Sequence, residues 1–70
     1  MDMTNKQIRI TRTQMSGLPA RTIADVDVLS ELDSGARKID GSFEFTFDES
    51  YAGPSDPLLL SAVAEKLAAI

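Results

Sequence analysis

The segment from Ile39 to Asp48 alternates apolar and polar residues with a period of two. One parity carries three phenylalanines, Phe43, Phe45 and Phe47, and the other carries acidic and hydroxyl residues. Because successive side chains of a strand point to opposite faces, this pattern predicts a half-buried β-strand with all three rings on one face. A helix would scatter the same rings around its circumference.

The C-terminal segment has the pattern of an amphipathic helix. Asp56 followed by Pro57 is typical of a helix start, since Asp caps free N–H groups and Pro lacks one. Apolar residues then recur at helical spacing, at Leu59, Leu60, Val63, Ala64, Leu67 and Ile70. We therefore predict a helix over residues 57–70, about 21 Å long, whose apolar stripe packs on the phenylalanine face or on another subunit.

The first half of the chain is less clear. The segment from Lys6 to Gln14 places Ile8 and Ile10 on one parity, which predicts a short, polar edge strand. Residues 22–33 allow two interpretations. A strand would place apolar residues at four of five inward positions and a helix at three of five, and the alternating Val and Asp of residues 25–28 suit a helix poorly. The strand is preferred, although the Leu-Ser-Glu-Leu run at 29–32 is compatible with a helix.

Two glycines fit the strand interpretation. The sequence Asp33-Ser34-Gly35 predicts a three-residue hairpin loop that ends on Gly in the left-handed conformation. Gly41, inside the next strand, predicts a bulge or a close approach of the backbone. We expect one α+β domain over residues 1–70, with 1–5 flexible. Its predicted architecture is a three-stranded antiparallel meander with one C-terminal helix on the phenylalanine face, in the order β-β-β-α.

Composition excludes several kinds of chemistry. The chain has no Cys, His or Trp, so disulfides, Cys/His metal sites and His-based acid–base catalysis are ruled out. It contains no phosphate-binding glycine loop and no nucleophile motif. Asp25-x-Asp27 and Asp48-Glu49 could offer oxygen ligands, but the spacing of a calcium loop is missing. We therefore expect no metal and no cofactor. We also expect no enzymatic activity, since so small a domain cannot enclose a pocket of ~300 Å³ or more.

The net charge of −4 is distributed unevenly along the chain. Residues 1–21 hold four bases against Asp2 alone, a balance of +3, whereas residues 22–70 hold three bases against ten acids, a balance of −7. Such an asymmetry indicates either complementary surfaces within one fold or a surface suited to a charged partner.

Strand parity predicts where the acids collect. Six carboxylates of the second and third strands would share the open face of the sheet with Leu29 and Ile23, and Arg9 is the obvious counter-charge. Like charges facing each other across strands destabilise a sheet. Such a face is either a solvated outer surface whose charge is relieved by Arg9, Arg37 or Lys38, or a surface that meets a basic partner, and apolar residues among the acids are typical of a binding surface. The predicted partner-binding residues are Asp25, Asp27, Leu29, Glu31, Asp40, Glu44 and Asp48.

These patterns lead to three functional hypotheses. The first is a small acidic, non-enzymatic protein-interaction module that docks on a basic, nucleic-acid-binding surface of a partner protein, as small phage-encoded inhibitors do; this analogy rests on size and charge. The second is an assembly subunit that completes a partner through its C-terminal helix or its edge strand. The third, a ribbon-type regulator that binds nucleic acid directly, is opposed by the negative net charge.

Location and assembly follow from the same features. The start of the chain has no apolar targeting region, and no apolar run is long enough to span a membrane, so we expect a cytoplasmic protein. A domain of this size without disulfides or metals often pairs with itself or with a partner.

Overall fold

The computed structural model describes residues 5–70 and contains three β-strands followed by one α-helix. The elements are β1 (Lys6–Ser16), β2 (Arg21–Glu31), β3 (Arg37–Phe47) and α1 (Pro57–Ala68). The strands form an antiparallel sheet in the order β1-β2-β3. The predicted β-β-β-α meander is confirmed. The flexibility expected for residues 1–5 falls, apart from Asn5, outside the described residues.

The second segment, for which two interpretations were open, is the central strand of the sheet. Alternate side chains at Thr22, Ala24, Val26 and Val28 are buried. The strand pairs with β1 on one side and β3 on the other. The period-two pattern therefore outweighs the helix-compatible Leu-Ser-Glu-Leu run.

The β2–β3 hairpin has the predicted loop. The Leu32 N–H donates to the Ala36 carbonyl at 2.7 Å, and the Gly35 N–H donates to the Leu32 carbonyl at 2.9 Å, which leaves three residues in the loop. Gly35 has φ of +85°, a left-handed conformation in which other L-residues are strained.

Each edge strand contains a β-bulge. The register of β1 against β2 shifts between Ile10 and Arg12, so that Thr11 is the extra residue. Asp40 is the extra residue in β3, directly before Gly41. The bulge predicted at Gly41 is thus confirmed, and the backbone there is approached closely, since a β-carbon on Gly41 would lie 3.0 Å from Phe43 Cε2. An extra residue changes which way the side chains beyond it point.

Helix α1 begins where the sequence predicts. The Asp56 carboxylate accepts hydrogen bonds from the Leu58 and Ala52 N–H groups, both at 2.9 Å, and Pro57 follows it in the first turn. These bonds hold the pKa of Asp56 below its ordinary value. The helix ends at Ala68, two residues earlier than predicted, and Ala69 forms its C-cap.

The core lies between α1 and one face of the sheet, which confirms the predicted packing on the phenylalanine face. Its buried residues are Ala24, Val26, Val28, Phe47, Leu59, Val63 and Leu67. Phe43 and Phe45 are half-buried and stack at a centroid distance of 5.9 Å. Strands of 11 residues are about 36 Å long and a 12-residue helix about 18 Å, so the helix covers about half the length of the sheet.

Candidate functional site

The bases of the N-terminal third pair with acids of the rest of the chain. Four ion pairs join them, with N–O distances of 2.8 Å for Lys6–Asp40, 2.9 Å for Arg9–Asp27, 3.2 Å for Arg12–Asp25 and 3.6 Å for Arg21–Asp48. These are all four of the bases in residues 1–21. The uneven charge of the sequence is therefore largely matched within one fold.

Arg12 is a second counter-charge on the open face of the sheet, so the prediction that named Arg9 alone was incomplete. Residues three apart in a regular strand point to opposite faces. The bulge at Thr11 returns Arg12 to the face of Arg9, where the two arginines lie across from Asp25 and Asp27.

Asp40 does not share the open face with Glu44, and that prediction was wrong. Its carboxylate accepts hydrogen bonds from Lys6 Nζ, at 2.8 Å, and from the Ser30 hydroxyl. Lys6 and Ser30 are partners in the β1–β2 register, and Ser30 has the parity of the β2 residues that point to the core. As the extra residue of the β3 bulge, Asp40 is turned toward that side. The two hydrogen bonds, chiefly that from Lys6, hold its pKa below the ordinary value.

Leu29 lies on the open-face parity of β2 but is only 2% exposed. The predicted accessible apolar patch around it is therefore wrong, although Ile23, which has the same parity near the other end of β2, is half-buried. Leu29 faces Gln7 on β1 and Ile39 on β3, and Ile39 is exposed.

The remaining predicted acids divide among three places. Asp25, Asp27 and Glu44 lie near the middle of the open face, where Asp25 faces Glu44 across the strands. Glu31 faces Arg37 at the hairpin end, and Asp48 is highly exposed at the opposite end of the sheet.

The open face is only weakly negative. Asp27 accepts hydrogen bonds from Arg9 and from Ser42 Oγ at 2.9 and 2.8 Å, and these, with Arg9 the larger cause, lower its pKa. Arg12 pairs with Asp25. At the middle of this face two arginines therefore offset two of three acids, rather than one arginine facing six.

An open cleft of about 450 Å³ lies between the end of β3 and one side of α1. We call it the aromatic cleft; it is lined by Phe47, Glu49, Tyr51, Ala62, Glu65, Lys66 and Ala69. Its helical residues are spaced i, i+3, i+4 and i+7, so they form one side of α1. A domain of this size is not expected to enclose a pocket of ~300 Å³ or more; the cleft exceeds that size and is open to solvent.

The buried hydroxyl of Thr22 fixes the chain that forms the cleft. Thr22 is fully buried, and its Oγ1 donates to the Glu49 carbonyl at 2.8 Å and accepts from the Tyr51 N–H at 3.2 Å. The Tyr51 ring packs edge-on against Phe47 at 5.8 Å, and its hydroxyl donates to Glu49 Oε2 at 2.9 Å. Sequence reasoning missed this site because Thr22 has the pattern of an ordinary strand residue.

The acids that form no ion pair gather partly at this cleft. Within the described part of the chain these acids are Glu31, Asp33, Glu44, Glu49, Asp56 and Glu65, and the bases without an ion pair are Arg37, Lys38 and Lys66. Three of the six acids act on Tyr51: its pKa is raised by the hydrogen bond to Glu49, by burial, and by the charges of Glu49, Asp56 and Glu65. Three acids therefore surround Tyr51, against Lys66 as the one base of the cleft lining among the described residues, and the bases of β1 are paired elsewhere.

Titration of Tyr51 tests this arrangement directly, because Tyr51 is the single tyrosine and the chain has no Trp. We expect an absorbance titration to give a tyrosinate pKa above the ordinary value of about 10, and Glu49→Gln to lower it. Since the fold favours the neutral phenol, the associated stability is present below pH ~10 and is lost as the pH rises through the folded pKa. Glu31→Gln, at the hairpin end, is the matched control; equal effects of the two variants would contradict the assignment.

Comparisons with known proteins give no indication of the function. No protein-family model, no curated protein and no solved structure matches this chain. Among residues 5–70 no group of three or more acidic side chains is placed to hold a metal ion. The one helix in this part of the chain is too short to cross a membrane.

Proposed function

We propose that the protein is a non-enzymatic interaction module that docks a negatively charged surface on a basic surface of a partner protein. A nucleic-acid-binding groove is the most specific form of such a surface, and its occupation would inhibit the partner. The observation that supports this is the pairing of every base in the N-terminal third inside the fold, which leaves acids in excess among the charges available to a partner.

The structure favours the aromatic cleft over the open face as the centre of this surface. A basic partner on the open face competes with Arg9 and Arg12 for Asp27 and Asp25. At the cleft, Glu49 and Glu65 have Lys66 as the basic residue of the lining. Glu44, exposed on the open face, has no ion pair within residues 5–70 and adds one further negative charge there.

Binding of a fluorescently labelled deca-lysine peptide tests the proposal. We expect binding that weakens steeply with added salt, because exposed charges are screened. The double variant Glu49→Gln/Glu65→Gln should weaken it about two- to fivefold more than Asp25→Asn/Asp27→Asn, which removes the same charge from acids that are already paired.

Two results would contradict the proposal. Absence of binding at low salt would contradict the proposed docking function, because deca-lysine carries the positive charge that is expected of the partner's surface. A larger loss of deca-lysine binding in Asp25→Asn/Asp27→Asn than in Glu49→Gln/Glu65→Gln would indicate that the interface lies on the open face. Circular dichroism of each variant confirms that the fold is retained.

The exposed side of α1 supports the second candidate, an assembly subunit. Leu58 is 71% exposed and Leu60 44%, although both belong to the helix that closes the core. Sedimentation of the wild type and of Leu58→Ser/Leu60→Ser separates this candidate from the first: an assembly that the double variant dissociates, with deca-lysine binding unchanged, favours it.

A further inference from the structure

We propose that the aromatic cleft binds one arginine side chain, with the guanidinium stacked on the ring of Tyr51 and its N–H groups directed at the carboxylates of Glu49 and Glu65. This inference rests on the proposed function, because the arginine would be the anchor of the basic partner. It adds the type of side chain that the cleft selects.

The charges around the cleft favour a cation. Glu49 and Glu65 are both part of the lining, and the charges of Glu49, Asp56 and Glu65 all reach the Tyr51 hydroxyl. The helical wall consists of Ala62, Glu65 and Lys66 in the last turns of α1 and of its C-cap, Ala69. The carboxyl end of a helix carries a partial negative charge, which adds to the attraction.

The shape of the lining favours arginine over lysine. Guanidinium is planar, is more weakly hydrated than ammonium, stacks on aromatic rings and presents a fork of donors to carboxylates. Tyr51 is held by its backbone bond to Thr22 and by its contact with Phe47, so the ring is already in place. Ala62 and Ala69 are small enough to leave room for the aliphatic stem of the ligand.

Lys66 provides an internal test, because this residue belongs to the same lining and its positive charge opposes an incoming cation. Removal of its charge should strengthen arginine binding, whereas removal of the Glu65 charge should weaken it. Lys66 and Glu65 are neighbours on the exposed part of α1, so both substitutions leave the core unchanged.

The experiment is an NMR titration of the uniformly ¹⁵N-labelled full chain with blocked arginine, N-acetyl-arginine methylamide, and in parallel with blocked lysine. We expect saturable amide shifts at Tyr51, Ala62 and Ala69, with weaker binding of lysine. Glu65→Gln should weaken arginine binding about two- to fivefold and Lys66→Gln should strengthen it by a similar factor.

Saturable shifts that are absent from the cleft, or that are equal for arginine and lysine and unchanged by Glu65→Gln, would overturn the inference. Deca-lysine binding under the same conditions separates this failure from that of the proposed function. If the peptide binds and blocked arginine does not enter the cleft, the arginine inference alone falls. If neither ligand binds, both proposals fall.

Discussion

Replacing Leu59 by alanine is expected to remove most of the stability of the protein. Leu59 is fully buried on the side of α1 that faces the sheet, and Leu→Ala at such sites lowers the free energy of unfolding by about 2–5 kcal/mol. A domain of fewer than about 70–80 residues rarely holds more than ~3–5 kcal/mol in total. We therefore expect Leu59→Ala to be largely unfolded at room temperature.

Urea unfolding followed by circular dichroism measures this effect, and the neighbouring Leu58 gives a matched control. Leu58 lies one residue earlier in the same helix and is 71% exposed, so Leu58→Ala should change the free energy of unfolding by less than about 0.5 kcal/mol. If the two variants unfold at the same urea concentration, the placement of α1 on the sheet is wrong.

Thr22→Val is expected to destabilise the fold and to disturb the aromatic cleft at the same time. Valine has nearly the shape of threonine but no hydroxyl, so the Glu49 carbonyl and the Tyr51 N–H lose the partner they share. A buried polar group left without a partner costs about 1–3 kcal/mol. Because these bonds hold residues 49–51, the Tyr51 pKa should also fall toward its ordinary value.

Thr22→Ser, which keeps the hydroxyl, separates the lost hydrogen bonds from the lost packing. We expect the serine variant to keep the raised Tyr51 pKa even if its unfolding midpoint is lower. A valine variant whose Tyr51 titrates like the wild type would show that Thr22 does not position the cleft.

The fold could be predicted because its strands are long and regular in pattern. The phenylalanine parity of residues 43–47 and the Asp56-Pro57 helix start each depend on neighbouring residues alone. Even the ambiguous β2 shows its period once it is treated as a central strand, since alternate residues from Thr22 to Val28 are buried.

The composition of the open face could be predicted only in part, because strand parity does not survive a bulge. Thr11 and Asp40 each insert one residue, which moves Arg12 onto the open face and Asp40 off it. Nothing in the residue at Thr11 marks a bulge, and Gly41 indicates one without fixing how Asp40 will point. Residues on the two sides of such a position therefore no longer share the face that their parity predicts.

The cleft depends on contacts that are distant in sequence. Thr22 and Glu49 are joined by a hydrogen bond across 27 positions of the chain, and Tyr51 lines the same cleft as Ala62 and Glu65 of α1. A pattern that repeats every two or 3.6 residues carries no information about such a contact.

We propose that a basic partner docks at the aromatic cleft, around Glu49 and Glu65, and not at the middle of the open face, where Glu44 is the one acid of the described chain without an ion pair. The most direct measurement is the map of amide shifts in the full ¹⁵N-labelled chain on addition of deca-lysine. We expect the largest amide shifts at residues 49–51 and 62–69. Largest shifts at residues 25–27 and 44 would contradict it and place the docking surface on the open face of the sheet.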